Sequence, residues 1–246
     1  MISSVGTAAG MPFFDLHTHI LPGVDDGSQS CAQSVQMLES MAQQGVGFIA
    51  ATPHYYADVC APEAFFAARD AAWAQLKQET ICARFDIRLG AEVQYYEGMT
   101  RLERPERFCL EGTDLFLLEM PFVPWSERIL STVRTLSEDP SLRVVIAHVE
   151  RYMPLQSRHA MQTLLDMNVL LQCNAAFFLP WSTRGRALRM MKQGMIHFIG
   201  SDCHNMGTRA PDVGQAMSLI EKNAGPSLVQ EFLQREKELL RVGGDL

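Results

Sequence analysis

The sequence predicts an α/β protein built as a barrel or near-barrel of seven βα units. Three observations lead there. Apolar, β-branched or aromatic runs of strand length recur seven times with helical segments between them, the pattern of a largely parallel sheet. His, Asp or Glu residues stand at or just past the carboxyl end of most of these runs, where the loops of a parallel barrel converge. A chain of 246 residues, 47% of them hydrophobic, suits one α/β barrel.

The elements follow in order. Residues 1–11 read as a flexible extension and 12–246 as a single domain. The first strand, Pro12 to His17, leads into a helix from Ser28 to Gln44, opened by a capping Ser and stopped before Gly45. Gly47 to Thr52 is the second strand. Ala61 to Ala83 is a helix whose Phe65, Phe66, Trp73 and Leu76 recur at helical spacing and form a packing face. Strands at Ile87 to Val93 and Leu115 to Glu119 precede a helix at Ser126 to Glu138. Strands at Arg143 to His148, Val169 to Asn174 and His197 to Ser201 alternate with helices at Ser157 to Met167 and Arg184 to Gln193. Pro211 to Lys222 and Ser227 to Arg241 close the chain, the last with Leu228, Phe232, Leu239 and Leu240 inward and residues 235–238 as a solvated face of mixed charge.

Composition excludes several classes. A formal net charge of −7 argues against nonspecific nucleic-acid binding, which needs a basic face. The six cysteines are scattered without CxxC spacing, several within apolar runs, and read as reduced residues of a cytoplasmic protein. The opening MISSVGTAAG has neither the basic nor the apolar region of a signal peptide, and no membrane insertion is expected.

The chemistry concentrates in six segments. In DLHTHILPGVDDG, His17 and His19 lie two apart on one extended segment, so both point to the same side and can grip one cation. TPH ends on His54, GAEV carries Glu92, LLEMP carries Glu119, AHVERY carries His148, and GSDCHN carries Asp202 and His204. With Asp26 these make nine candidate ligands, five imidazoles and four carboxylates. Mixed nitrogen and oxygen donors without thiolate suit manganese, iron or zinc. Nine donors exceed the needs of one ion, so two or three ions sharing a carboxylate are expected, holding a hydroxide for an in-line displacement. Three divalent ions among four carboxylates and one hydroxide retain about one net positive charge, which invites an anion. Arg151 and Arg209 follow ligand segments, and their guanidinium forks match phosphate. Tyr55, Tyr56, Tyr95, Tyr96, Phe122 and Trp125 lie beside ligand segments, placed either to pack or to line a slot for an aromatic ring. His159 reads as a helix-surface residue and His197 as a strand start.

Taken together, DLHTHILPGVDDG, TPHY, GAEV, LLEMPF, HVERY and SDCHN with Arg209 resemble the polymerase and histidinol phosphatase (PHP) superfamily. Within it the chain resembles the bacterial manganese-dependent protein-tyrosine phosphatases of the CpsB/CapC type, associated with capsule and exopolysaccharide synthesis. HILPGVDDG and HVERY mark that subgroup, and the resemblance runs from Phe13 to about Pro211. It implies a distorted (βα)7 TIM-like barrel, the PHP fold, with a trinuclear Mn2+ centre. His17, His19, Glu92 and Asp202 would hold one ion, Glu92, Glu119 and His148 a second, and Asp26, His54 and His204 a third. Arg151 and Arg209 would be catalytic and hold the phosphate. The substrate implied is a phosphotyrosine-containing protein, a bacterial tyrosine kinase tail. Two departures stand out: Val149 where the subgroup has Pro, which bears on the placing of Arg151, and the extension before the first strand.

Rival readings remain at this level. Cys203 and Arg209 have the C-x5-R spacing of cysteine-dependent phosphatases, although ligand-type Asp202 and His204 flank the cysteine and Pro211 delays the helix that chemistry needs. A PHP phosphoesterase acting on a small molecule such as histidinol phosphate would use the same ligands. A non-catalytic binding protein would have no reason to gather nine costly polar groups at one mouth.

Overall fold

Strands flanked by helices on both sides are apolar throughout rather than alternating, and the fourth apolar run, Leu115–Glu119, is buried at every position. The computed structural model describes residues 11–240, and the protein is an α/β assembly of two all-parallel sheets. The first sheet has the order β1 (Phe13–Thr18), β2 (Val46–Ala51), β4 (Asp86–Leu89). The second runs β3 (His54–Tyr55), β5 (Glu92–Gln94), β6 (Leu115–Glu119), β7 (Arg143–Ile146), β8 (Leu170–Asn174), β9 (Phe198–Gly200).

The sheets share chain segments. Thr52 and Pro53 separate β2 from β3, and Gly90 and Ala91 separate β4 from β5, so the predicted strand at 87–93 passes from one sheet to the other, and the chain does the same just beyond the strand predicted at 47–52. The Gly90 N–H still donates to Ala51 O at 2.9 Å and the Glu92 N–H to Pro53 O at 3.0 Å, which keeps the ladder bonded across both breaks. At the other side β1 meets the end of β9: Asp202 N donates to His17 O at 2.8 Å, and His19 N to Cys203 O at 3.0 Å.

Helices pack outside. Ser30, rather than Ser28, caps α1 (Cys31–Gln43) by accepting from Gln33 N, and Met37, Leu38 and Met41 turn inward. The predicted helix at 61–83 is shorter: α2 (Pro62–Leu76) starts on a proline at its first position and gives way to a 3-10 turn, Thr80–Arg84. Ser126 caps α3 (Glu127–Ser137), and after the one-turn α4 (Val149–Tyr152) Ser157 caps α5 (Arg158–Leu165). Then come α6 (Trp181–Lys192), α7 (Val213–Ala224) and α8 (Pro226–Leu239). The expected solvated face at 235–238 is corrected at one position. Glu236 is buried, because its carboxylate turns inward to accept the backbone N–H of Ile199 at 3.0 Å. His159 is exposed as expected, and His197 accepts from Leu171 N at 3.0 Å through Nδ1. The expected flexible extension lies outside the described residues except for Met11.

Side chains of both sheets and all the long helices meet in one core, where Phe14 and Phe48 contact at 5.6 Å between ring centroids. Each fully buried large apolar side chain contributes about 1.5–3 kcal/mol. That core holds the strand ends rigid, and the polar residues sit on those ends.

Candidate metal centre

Every parallel strand presents its carboxyl end on the same side of a sheet, so residues at strand ends converge even when distant in sequence. All nine candidate ligands do so here. Glu92, the first residue of β5, stands at the centre with its Oε2 at 2.9 Å from His17 Nε2, 3.1 Å from His54 Nδ1 and 3.3 Å from His19 Nε2. Its Oε1 lies 2.9 Å from His148 Nε2. Glu119, closing β6, is 3.8 Å from His148 Nε2 and 3.9 Å from His54 Nδ1. Asp202 Oδ1 is 3.4 Å from His19 Nε2, and Asp26 Oδ1 is 3.3 Å from His204 Nε2. Three sets have donor atoms within 4.8 Å of one another: His17, His19, Glu92 and Asp202; His19, Asp26, His54 and His204; and His54, Glu92 and Glu119. His19 and His54 therefore each reach a set beyond the one expected for them, while His148 meets both carboxylates from the side.

The donors fit cations by their hydrogen bonding. His17 Nδ1 faces Gln172 Oε1 at 3.2 Å, His19 Nδ1 faces Asp25 Oδ2 at 2.7 Å, and His204 Nδ1 faces the Asp202 carbonyl at 3.0 Å. Each partner is an acceptor, so each Nδ1 carries the proton and donates, leaving an Nε2 lone pair turned inward. His17 Nε2 and His19 Nε2 then confront each other at 3.1 Å, an arrangement of two lone pairs that needs a positive charge between them. Five buried polar atoms of the candidate ligands, His54 Nδ1, Glu92 Oε2, Glu119 Oε2, His148 Nδ1 and His204 Nε2, have no hydrogen-bond partner despite their close neighbours. Buried polar atoms left so cost free energy unless something satisfies them.

Burial lowers His17 and His19, but the Glu92 and Asp202 carboxylates at His17 and the Asp25 carboxylate at His19 outweigh it and raise both imidazoles above the ordinary value, so the carboxylates draw in a positive charge that a cation would supply. Burial holds the imidazole of His148 below its ordinary value, and burial with His19 and Arg209 nearby lowers His204 to about 4, so both offer lone pairs at neutral pH. Burial pushes Glu92 and Asp202 up, but His17 outweighs it and both carboxyls stay well below the usual range. Glu119 is raised to about 7 by burial and by the Glu92 carboxylate, a like-charge crowding that a cation would relieve.

The backbone is bent to the purpose. His148 (φ 32°) and Asp202 (φ 53°) occupy the left-handed region, unusual for residues other than glycine, and both sit where a strand turns into its loop. Arg151 and Arg209, half exposed, both lean on Asp202, the former at 3.5 Å from Oδ2 and the latter on Oδ1. With Val149 buried, Arg151 stands against Asp202.

Three contributors escaped the sequence reading. Asp25 accepts from His19 Nδ1, and its two oxygens also take Gly27 N at 2.9 Å and His54 N at 2.8 Å. Gln172 Oε1 faces His17 Nδ1 and accepts His148 N at 2.6 Å, while its amide donates to Asn174, whose own amide donates to Asp202 Oδ2 at 3.0 Å. The available signal was that Val169 to Asn174 alone among the predicted strands had no ligand either within it or just past its end, while carrying two amides on alternate positions. Cys203 is wholly buried and burial raises its thiol well above the ordinary value, the reverse of a nucleophilic thiolate.

Comparison with known proteins decides the family. The family model for capsular polysaccharide synthesis, CpsB/CapC, matches residues 13–241. The chain belongs to the CpsB/CapC family. Among its relatives, tyrosine-protein phosphatase YwqE of Bacillus subtilis is 30% identical over 237 residues, covering 92% of this chain and 91% of that one. Tyrosine-protein phosphatase CpsB of Streptococcus pneumoniae is 28% identical over 241 residues, covering 92% and 97%. A solved structure described as one of YwqE from Bacillus subtilis and CpsB from Streptococcus pneumoniae, unique metal-dependent tyrosine phosphatases, superposes with a TM-score of 0.75 at 27% identity, covering 95% of this chain and 96% of that one. The architecture of this CpsB/CapC member is thus shared along nearly its whole length. Among the described residues no helix is long and apolar enough to cross a membrane.

Proposed function

We propose that this CpsB/CapC protein is a metal-dependent phosphatase that hydrolyses phosphotyrosine on proteins. The observation that carries the reading is the set of three imidazoles anchored through Nδ1, with Nε2 lone pairs and unpartnered carboxylate oxygens turned into one buried pocket beside two arginines. His17, His19, Asp26, His54, Glu92, Glu119, His148, Asp202 and His204 are the ligands in this reading, and Mn2+ is the ion their donor chemistry accommodates. When bound, such ions supply Lewis acidity and make water a nucleophile at neutral pH. Arg151 and Arg209 bind the phosphoryl oxygens and neutralise charge as it develops there. A tyrosine phenolate leaves with a conjugate pKa of about 10, so no strong acid is asked of the chain. The two sheets, joined along shared segments, form a distorted (βα)7 barrel in one domain starting at residue 12. The substrate proposed is the tyrosine-rich tail of an autophosphorylating kinase of capsule or exopolysaccharide synthesis, met in the cytoplasm.

The test combines metal analysis with rates. Purified protein is expected to contain manganese, or iron or zinc in its place. A chelator should abolish hydrolysis of phosphotyrosine peptides and a thiol alkylator should not. His54→Ala and Asp202→Ala should each lower kcat/KM by orders of magnitude, roughly 10²-fold or more, with an unchanged circular-dichroism spectrum. A chelated enzyme with full activity would refute the reading. Histidinol phosphate turned over faster than the peptides would move the substrate to a small molecule.

A further inference from the structure

Of the six aromatic residues that flank ligand segments, the structure sorts four away from the mouth. Tyr55 and Trp125 are buried in the core, Tyr95 lies 3.5 Å from the Thr132 hydroxyl of α3, and Tyr96 lines a separate hollow with Arg101 and Arg104. Two remain on the ligands themselves. The Tyr56 ring stacks on His54 at 4.9 Å between centroids, with 21° between planes. The Phe122 ring stacks on His148 at 6.0 Å and 22° and is 45% exposed, a large apolar surface left open at the mouth. His54 and His148 touch the two different oxygens of Glu92, so the aromatic pair flanks one central carboxylate. The Arg151 guanidinium lies over the Phe122 ring at 4.7 Å while also meeting Asp202, which joins an apolar wall directly to an anion grip.

We propose that Tyr56 and Phe122 are the walls of a slot that seats the aryl ring of the substrate, so that the site selects aryl over alkyl phosphate monoesters by ring contact. The inference rests on the phosphatase reading of the same site. A ligand with an anion joined to a flat ring satisfies Arg151 and covers both aromatic surfaces at once, whereas an alkyl phosphate leaves them wet. Aromatic contacts of this kind are worth roughly two- to tenfold in affinity per ring.

Nonhydrolysable phosphonates separate ring contact from leaving-group reactivity. Calorimetry on the manganese-loaded protein should show phenylphosphonate binding roughly tenfold or more tighter than methylphosphonate. Tyr56→Ala and Phe122→Ala should each shrink that ratio by about two- to tenfold, and Tyr56→Phe, which keeps the ring, should preserve it. In turnover the same alanine variants should lower the ratio of kcat/KM for phenyl phosphate to that for glycerol phosphate by about two- to tenfold. Equal binding of the two phosphonates by the unsubstituted protein, or a parallel loss on aryl and alkyl substrates, overturns the slot. Hydrolysis of phenyl phosphate with indifferent variants removes the slot and leaves the phosphatase. Preference for phenylphosphonate without turnover of any phosphomonoester does the reverse.

Discussion

Asp25 shows how much of the centre depends on a residue that is not itself among the ligands. It fixes the proton of His19 on Nδ1 at 2.7 Å and restrains the His54 backbone at 2.8 Å, so it sets the direction of one donor and the position of a second. Asp25→Ala should weaken manganese binding by about 10- to 100-fold while the protein stays folded, as metal titration followed by thermal melting would register. Retained affinity would mean that His19 is oriented by packing alone. The nine ligand candidates were legible because imidazoles and carboxylates closing apolar runs are out of place unless something holds them. Asp25 was not, since an aspartate two residues before a glycine in a turn has an ordinary local explanation. Gln172 was hidden by distance, for its contact with His17 spans 155 positions of chain and no spacing rule reaches so far.

At the scale of elements, the close approach of β9 to β1 is what delivers Asp202 to His17 and His19. Gly200 makes it possible: a Cβ there would lie 2.6 Å from His17 Cβ and 2.9 Å from His17 N. Gly200→Ala should cost about 1–3 kcal/mol in urea denaturation and also lower manganese affinity, because β1 can yield only by moving His17. Gly185→Ala in α6, where nothing lies within 4 Å, is the matched control and should be stabilising by up to about 1 kcal/mol. A Gly200→Ala protein as stable as the control would show that the strands have room to separate. Strand positions were readable because each is a short apolar run, yet the breaks within them were not. The predicted strand at 87–93 divides at Gly90 and Ala91, where the chain changes sheets, and periodicity carries no signal for that. The predicted helix at 61–83 ends at Leu76 although Ile81 and Cys82 extend its apolar spacing, since a 3-10 turn buries Cys82 equally well.

Across the described residues, charge is gathered at the carboxyl ends of the strands, and Glu236 is an acid buried away from that cluster. Glu236 rises from α8 to the backbone of Ile199 in β9, a placement that a reading of mixed surface charge along the helix could not anticipate. Burial pushes its carboxyl well above the ordinary 4.5; the Ile199 N–H opposes this and the Asp15 carboxylate adds to it. The sign follows from proton binding: the folded state holds the proton more tightly than the unfolded chain, so stability falls as pH rises above the unfolded value toward the raised one. Below that window the group is protonated in both states and has no pH-dependent effect. Glu236→Gln keeps an oxygen for Ile199 and removes the titration. Its stability relative to the unsubstituted protein should therefore improve as pH rises above the ordinary 4.5 and show no such gain below it in urea melts. The comparison is Glu236→Gln against the unsubstituted protein, both at fixed manganese, because Glu119, raised to about 7, titrates within the same window and its contribution cancels in the difference. An advantage that grew as pH fell would mean that Glu236 is held as a paired carboxylate, and the account of α8 beneath β9 would be wrong.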